Sequence, residues 1–569
     1  MEWITISTER RWIIEEDDEQ LIHKLSVELA LSPILIKLLI NREMTTSSEI
    51  RDFLSAGSQQ YFNPFLFNDM EKAVTRIQTA INNKEKILIY GDYDADGVTS
   101  TALLLRVIAT LGGECTFYIP NRFTEGYGSN NEAIEQAASE QVKLIISVDT
   151  GIAANEEAKR AAKLGIDLII TDHHEPPEVL PQAIAIINPK CIDEGYPFTG
   201  LAGVGVAFKL AHALLGRAPR EYVELVALGT IADMAPLVGE NRVIAINGLE
   251  QMTSTNILGL EKLIQNTGLA DQKINTYHVG HIIGPRINAI GRLESSEAAV
   301  RLFLTNDIAE TEQIVAELEM LNRERQQLVR TITEEALMKV ETEQLNEHSV
   351  LVIADENWNS GVIGIVASQV IRRHYKPTVI FSVDEETGIA KGSARSIKGF
   401  NLYNALTEVS EHLLDFGGHP QAAGLSVATE KVEVLRKEIS KLADEWLEPI
   451  DFIPYERVDA LITIDEIDYD LIGMIEQLEP HGIGNPRPVF LIENATVANC
   501  QKIGNDKQHV KLLLKQDGAT IEALYFNGSD DCKSLTEESK VSLIGELSLN
   551  EWRGTVKRQI IIRDLKQLV

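Results

Sequence analysis

Lys86-Ile-Leu-Ile-Tyr-Gly-Asp-Tyr-Asp-Ala-Asp-Gly-Val-Thr-Ser100 is a short apolar run that ends in aspartates at three alternate positions, Asp92, Asp94 and Asp96. Alternate residues on an extended backbone point the same way, so the spacing predicts that the three carboxylates converge. Converging negative charges repel unless cations sit among them, which makes the segment a candidate metal site. The Asp-x-Asp-x-Asp-Gly opening is shared with the calcium loop of an EF-hand, which needs a bidentate Glu at its twelfth position. Counted from Asp92, that position is Leu103, so the calcium-loop reading fails.

The surrounding pattern is strand–helix–strand–helix from about Lys84 to Gly248. Ile87–Tyr90, Leu144–Val148, Leu168–Thr171 and Ala185–Ile187 read as short buried strands, with helical patterns such as Asn131–Glu140 and Asn155–Leu164 between them. This alternation predicts a parallel sheet with helices on its faces. Further candidates sit where its strands end: Asp149 after Leu144–Val148, and Asp172-His173-His174 after Leu168–Thr171. Asp233 follows a helix that begins near Arg220. Ligands bind at the carboxyl edge of an open parallel sheet, so residues distant in sequence are expected to meet there. A lone Asp after a strand is commonly a helix N-cap, and a His pair is commonly packing. Their joint placement at successive ends favours a site. Carboxylates with one or two imidazoles suit Mn²⁺ or Mg²⁺, and their number implies two ions, the arrangement used for phosphoester hydrolysis.

With 569 residues, 44% of them hydrophobic and 24% charged, the chain is long enough for several globular domains. No apolar run approaches the ~18 residues of a membrane span, and the first residues lack a signal-peptide pattern, so a cytoplasmic protein without membrane contact is expected. Four scattered cysteines, with no Cys-x-x-Cys pair, argue against disulfides and structural zinc. The formal charge of −32 opposes non-specific binding of nucleic acid, so a polyanionic substrate has to be held by local cations or metal ions. Residues 500–569 are the exception, with 11 Lys/Arg against 10 Asp/Glu.

Between Arg292 and Ser360 there is neither Gly nor Pro, and apolar residues from Ile314 to Ile332 recur at helical spacing. A connecting helix from about Asp307 to Gln344 is one reading, and two helices of a bundle the other. A second α/β unit follows, with strand Val350–Ala354, helix Gly361–Arg373 and strand Thr378–Phe381. It ends in the Gly-rich Phe416–Gly424 stretch, which opens into a short apolar segment. From about Phe452, strand-like runs (His509–Leu514, Ala519–Tyr525, Val541–Leu549, Gln559–Arg563) predict a small β-barrel.

Gly91–Gly97, the Asp172-His173-His174 triplet and Gly417-Gly-His419 resemble the DHH phosphoesterases that carry a DHHA1 domain. The chain is most similar to their single-strand-specific 5′→3′ DNA exonuclease branch, through Ile119–Gly128, Gly284–Arg292, Gly392–Ser396 and the C-terminal barrel. The likeness implies an α/β architecture: a parallel-sheet DHH domain (70–300), a connecting helix (301–346), a second α/β domain, DHHA1 (347–450), and an OB-fold barrel (451–569), after an N-terminal segment (1–69). Asp94, Asp96, Asp149, His173 and Asp233 would ligate two Mn²⁺ or Mg²⁺ ions, with Asp92 and His174 as ligands or their immediate supports. DNA would thread between the first two domains.

Other basic and aromatic residues have two readings each. Arg122, Arg286, Arg292 and Arg395 suit bidentate phosphate contact, or equally salt bridges. By the resemblance, Arg122, Ser393 and Arg395 form a pocket for a terminal 5′ phosphate. His419 is expected to hydrogen-bond the scissile phosphate, or to belong to a Gly-rich loop before a helix. Tyr127 would stack on a base, and Trp552 with Arg553 would form a strand-binding face, packing being the alternative for each. The expected function is metal-dependent 5′→3′ hydrolysis of single-stranded DNA to mononucleotides in recombination and repair. The alternatives are a phosphodiesterase for short oligonucleotides or cyclic dinucleotides, and a non-catalytic scaffold. A monomer is expected, with a single-stranded-DNA-binding protein and a RecQ-type helicase as partners.

Overall fold

The computed structural model describes residues 3–5, 10–58, 61–122, 125, 128–552 and 554–568. The chain divides into two compact units. One comprises Ser55–Gln327 with Pro480–Asn485; the other comprises Met1–Leu54, Leu328–Glu479 and Pro486–Val569.

The first unit is built on five parallel strands in the spatial order Cys115–Tyr118, Lys86–Tyr90, Val142–Val148, Asp167–Thr171, Ala185–Ile187. Their Ile, Leu and Val side chains are buried on both faces, as a parallel sheet covered by helices requires. The largest core packs the helices Ala95–Thr110, Gly203–Leu215 and Val223–Ala232 against Ile87, Ile89, Leu144, Ile146 and Ile169. From Lys86–Tyr90 the chain first moves outward to Cys115–Tyr118, then returns to pair Val142–Val148 on the opposite side. The strand order therefore reverses between these two strands. Such a reversal leaves a crevice at the carboxyl edge, and Asp92 and Asp149 follow the two strands that flank it.

One unbroken helix, Ile308–Thr342, carries the chain out of this unit, which settles the connecting segment in favour of a single helix. At ~1.5 Å per residue it is about 50 Å long. Ile314, Val315, Leu318 and Leu321 are buried in the core of the first unit, and Ile332, Ala336 and Val340 in a core of the second. Two separate apolar anchors explain why a highly charged helix of this length is stable.

In the second unit, a mixed sheet runs in the order Asp415–His419, Ala422–Ala428, Ile389–Arg395, Thr378–Asp384, Leu351–Asp355, with only the last pair parallel. The Gly-rich stretch at 416–424 is a hairpin of two of these strands, not a loop leading into a helix. A closed five-stranded barrel follows. Phe490–Ile503, His509–Gln516, Ala519–Tyr525, Thr555–Leu568 and Lys540–Trp552 pair in turn, and the last pairs back to the first. The amino-terminal helices Glu19–Leu29, Pro33–Ile40 and Ser47–Leu54 share its core, where Leu35, Ile36, Leu39 and Ile50 cluster with Phe490, Leu512 and Leu543. Among the described residues no helix is long and apolar enough to cross a membrane.

Candidate metal centre

The three aspartates of the opening segment do not lie along one extended strand. The strand stops at Tyr90, and the helix Ala95–Thr110 begins two residues after Tyr93. Asp94 is its N-cap, with Oδ1 accepting from the Asp96 and Gly97 amides at 2.9 and 3.1 Å. Asp96 lies in the first helical turn and faces a second helix. Its Oδ2 and Oδ1 accept from the Gly203 and Val204 amides, both at 2.7 Å, at the amino end of Gly203–Leu215. The positive end of that helix favours the carboxylate there. The turn splits the expected single convergence in two. Asp92 and Asp94 group with Asp149, whereas Asp96 groups with His173 and Asp233. Within each group one ligand atom per residue lies within 4.8 Å of the others.

Asp149 and the Asp172 triplet close the site from the neighbouring strands. Asp149 adopts a left-handed backbone with φ 59°, its amide donating to the Thr171 carbonyl at 3.0 Å. The Gly203 backbone packs so tightly on it that a Cβ there would fall 2.5 Å from Asp149 Oδ1. His173 Nε2 stands 3.0 Å from Asp149 Oδ1, 3.8 Å from Asp96 Oδ2 and 3.9 Å from Asp233 Oδ2. Asp172 is itself saturated by the protein. Its Oδ1 accepts from the His173 and His174 amides at 2.7 and 3.1 Å and lies 2.7 Å from His174 Nδ1, and its Oδ2 accepts from the Ile152 amide at 2.9 Å. It therefore orients the His174 ring, pins the backbone of both histidines and leaves the cation positions to others.

The site is too acidic to be ionised by itself. Burial and then neighbouring Asp94 push the Asp92 carboxyl well above its ordinary range, and the same two causes push Asp96 up to about 7. Burial and then Asp96 raise Asp149, and burial with Asp96 and Asp94 raises Asp233 to about 9. Burial, reinforced by the His174 charge, pushes His173 down to about 3. For His174, burial alone would lower the imidazole, but the hydrogen bond and charge of Asp172 outweigh it and raise it to about 9. Asp92 Oδ1 and Asp149 Oδ1 are buried without hydrogen-bond partners. Unpartnered carboxylate oxygens beside a neutral imidazole are the donor set that divalent Mn²⁺ or Mg²⁺ would satisfy, so the residues fit such ions.

The Gly284–Arg292 motif braces this loop from a distance. Asn288 Oδ1 accepts from the Ala95 amide at 2.7 Å, and Ser296 Oγ donates to the Tyr93 carbonyl at 2.6 Å. Of its arginines, Arg286 is committed to Glu319 at 2.7 Å and to the Ile282 carbonyl, the salt-bridge alternative. Burial, then Arg122 and Arg325, lower the Arg292 guanidinium to about 10. Arg122 lies over the Tyr93 ring, 5.2 Å from its centroid, and its charge reaches Asp92. A cationic flank thus lies beside the acidic cluster, as the net charge demands of a polyanion-binding site.

The second unit holds the remaining candidates. Ser393 and Arg395 share one face of the strand Ile389–Arg395, with Arg395 Nη1 donating to Ser393 Oγ at 3.2 Å. Both face the start of helix Ile363–His374, where a Cβ on Gly364 would meet Ser393 Oγ at 2.9 Å and Arg395 Nη2 at 3.1 Å. A guanidinium, a hydroxyl and a helix amino end around a bare glycine are groups that would suit an anion. His419 ends the strand Asp415–His419 and is exposed. Tyr127 and Arg553 lie outside the described residues, and Trp552 is described only as the last residue of a barrel strand.

Sequence reasoning missed Asp172 as the residue that orients His174, and Asn288 and Ser296 as supports of the aspartate loop. Asp172 was visible in the triplet. The other two act across about 200 residues of chain and leave no local signal.

Family models for the DHH family N-terminal domain, the DHHA1 domain and the RecJ OB domain match residues 86–230, 347–445 and 458–564. The single-stranded-DNA-specific exonuclease RecJ of Bacillus subtilis is 44% identical over 98% of this chain and 71% of its own length. That of Escherichia coli is 32% identical over 94% of this chain and 96% of its own. The crystal structure of RecJ from Thermus thermophilus in complex with Mn²⁺ superposes with a TM-score of 0.84 at 28% identity, covering 98% of this chain and 79% of that one. A Mg²⁺ complex of the same protein gives a TM-score of 0.77 at 26% identity, with the same coverage.

Proposed function

Because this chain belongs to the RecJ family of DHH/DHHA1 exonucleases, we propose that it degrades single-stranded DNA from the 5′ end to mononucleotides by metal-dependent phosphodiester hydrolysis. The observation that carries this reading is the set of ligand groups at the crevice where the sheet order reverses: Asp92, Asp94 and Asp149 on one side, Asp96, His173 and Asp233 on the other, joined by a third group of Asp149, His173 and His174. Asp92, Asp94, Asp96, Asp149, His173 and Asp233 would hold two Mn²⁺ or Mg²⁺ ions. Such ions supply water activation and neutralisation of charge on the phosphoryl oxygens.

The chain's own groups do the rest. Asp172 fixes the His174 imidazole and the Leu201 backbone holds that of His173, so His173 presents a neutral nitrogen and His174 a protonated one beside the acidic cluster. A protonated His174 can donate a hydrogen bond to a phosphoryl oxygen or to a departing alkoxide. Arg122 and Arg292 offer charge to the backbone of the strand. In the DHHA1 region Ser393 and Arg395, against Gly364, would hold a terminal 5′ phosphate and so set which bond is cut. His419 is an exposed imidazole suited to the scissile phosphate.

Domain limits of 70–300, 301–346, 347–450 and 451–569 accord with this division of labour. The role is recombination and repair in the cytoplasm as a monomer, where a single-stranded-DNA-binding protein and a RecQ-type helicase would supply and present the substrate. The test is Mn²⁺-dependent digestion of matched 5′-labelled single strand, blunt duplex and dinucleotide. Mononucleotide release from the single strand alone is expected. Cleavage confined to the dinucleotide would sink the reading in favour of a short-oligonucleotide phosphodiesterase.

A further inference from the structure

The helix whose amino end holds Asp96 carries His212 about 13 Å farther along its axis, at ~1.5 Å per residue. There His212 faces an open cavity of about 710 Å³ whose walls include Tyr61, Pro64, Arg217 and Arg220. No carboxylate lines it among the described residues, in a chain with a formal charge of −32. Arg217 is gripped by Glu221, its two terminal nitrogens at 2.8 and 2.6 Å from the carboxylate oxygens. Arg220 is exposed and makes no side-chain hydrogen bond or ion pair among the described residues. His212 Nδ1 is buried without a partner, and burial, then the charge of Lys209, pushes that imidazole down to about 4, so it is neutral. The Tyr61 ring is braced by Phe208, edge to face at 4.9 Å.

We propose that this cavity is a second ligand site, which binds a nucleoside monophosphate with its phosphate on Arg220 and Arg217 and its base against Tyr61 and His212. The exposed Arg220 guanidinium selects an anion, with Arg217, already paired to Glu221, contributing from beside it. The volume far exceeds that of inorganic phosphate, and an aromatic wall with one neutral, unpaired imidazole nitrogen suits a planar base with polar edges. The identity of the ligand rests on the exonuclease reading, since mononucleotides are what that reaction releases.

Calorimetric titration of the Mn²⁺-loaded full chain with dAMP, deoxyadenosine and inorganic phosphate tests this. Two classes of dAMP site are expected. Arg220→Gln should weaken one class at least about tenfold, leave the other in place, and leave hydrolysis of single-stranded DNA unchanged in dilute product. His212→Ala should weaken the same class, which guards against misfolding of either variant. Identical titrations for wild type and both variants, or inorganic phosphate binding as tightly as dAMP, would overturn the assignment. Digestion of single-stranded DNA by the same sample separates the two readings. Hydrolysis without the second class of site removes this proposal alone. The second class without hydrolysis supports it and removes the exonuclease reading.

Discussion

Asp149 Oδ1 stands 3.0 Å from His173 Nε2, and the two make no hydrogen bond. His173 also hydrogen-bonds the Leu201 backbone. With Nε2 turned to the carboxylates, the ring's other nitrogen is left to meet Leu201, so Nε2 carries a lone pair. Two lone pairs then converge on one space, the arrangement that a cation resolves and that a water-soluble surface pair would avoid.

Asp149→Asn should retain the left-handed backbone, which Asn tolerates, and keep its close packing on Gly203. Hydrolysis should fall at least about a hundredfold, since several kcal/mol of charge stabilisation are lost. The metal-free variant should melt higher than wild type at neutral pH, because Asn removes the cost of keeping that buried carboxyl protonated. Full activity in metal-controlled assays would remove Asp149 from the ligand set.

Asp172→Asn should leave every proposed ligand in place and still weaken Mn²⁺ binding about 10–100-fold, the usual effect of losing an orienting carboxylate. It should also lower the His174 pKa, readable by NMR titration of the imidazole, because the Asp172 hydrogen bond and charge are what outweigh its burial. An unchanged His174 titration would refute the coupling.

The metal-free protein should lose stability between about pH 4 and 9. Asp96 at about 7 and Asp233 at about 9 bind protons more tightly folded than unfolded, so their contribution is complete below the ordinary value of 3.8 and is lost as pH rises from there to those values. His174, raised to about 9, acts in the same direction above its ordinary value of 6.5. His173, lowered to about 3, acts oppositely but only below 6.5. Mn²⁺ should flatten the profile. Thermal melts across that range, with and without Mn²⁺, measure both effects.

Asn288→Ala should strand the Ala95 amide, at a cost of about 1–3 kcal/mol for a donor left without its partner. Because Asn288 touches the loop and not the substrate, kcat should fall while KM for single-stranded DNA stays near wild type. A rise in KM alone would instead place Asn288 in substrate binding.

Arg395→Ala should reduce the preference for a 5′-phosphorylated end more than it slows turnover of saturating substrate. Paired assays on 5′-phosphate and 5′-hydroxyl strands decide this. Equal losses on both would take Arg395 out of the end-binding role.

Much of this architecture was written locally. The apolar runs at 87–90, 144–148, 168–171 and 185–187 become the parallel strands nearly residue for residue, because burial on both faces favours such side chains. The barrel strand Phe490–Ile503 escaped notice because its burial alternates irregularly and two register shifts interrupt its pairing. The Gly-rich 416–424 stretch read as a loop, since glycines carry no side-chain periodicity. Pairing with the strand Ile389–Arg395 made it a hairpin.

The sequence by itself determined which residues carry charge at the strand ends, and hence that an acidic, imidazole-bearing edge exists. Chain composition and period are local properties, and a strand, its terminal aspartate and the helix cap that follows are all set within a few residues. Only the tertiary structure decided how those charges are shared out. Asp96 is drawn away from Asp92 and Asp94 by two amides more than a hundred residues distant, and Asp172 is spent on its own histidines. Such partners are chosen by the packing of a helix end against a sheet edge, and no local pattern records which amide will arrive there.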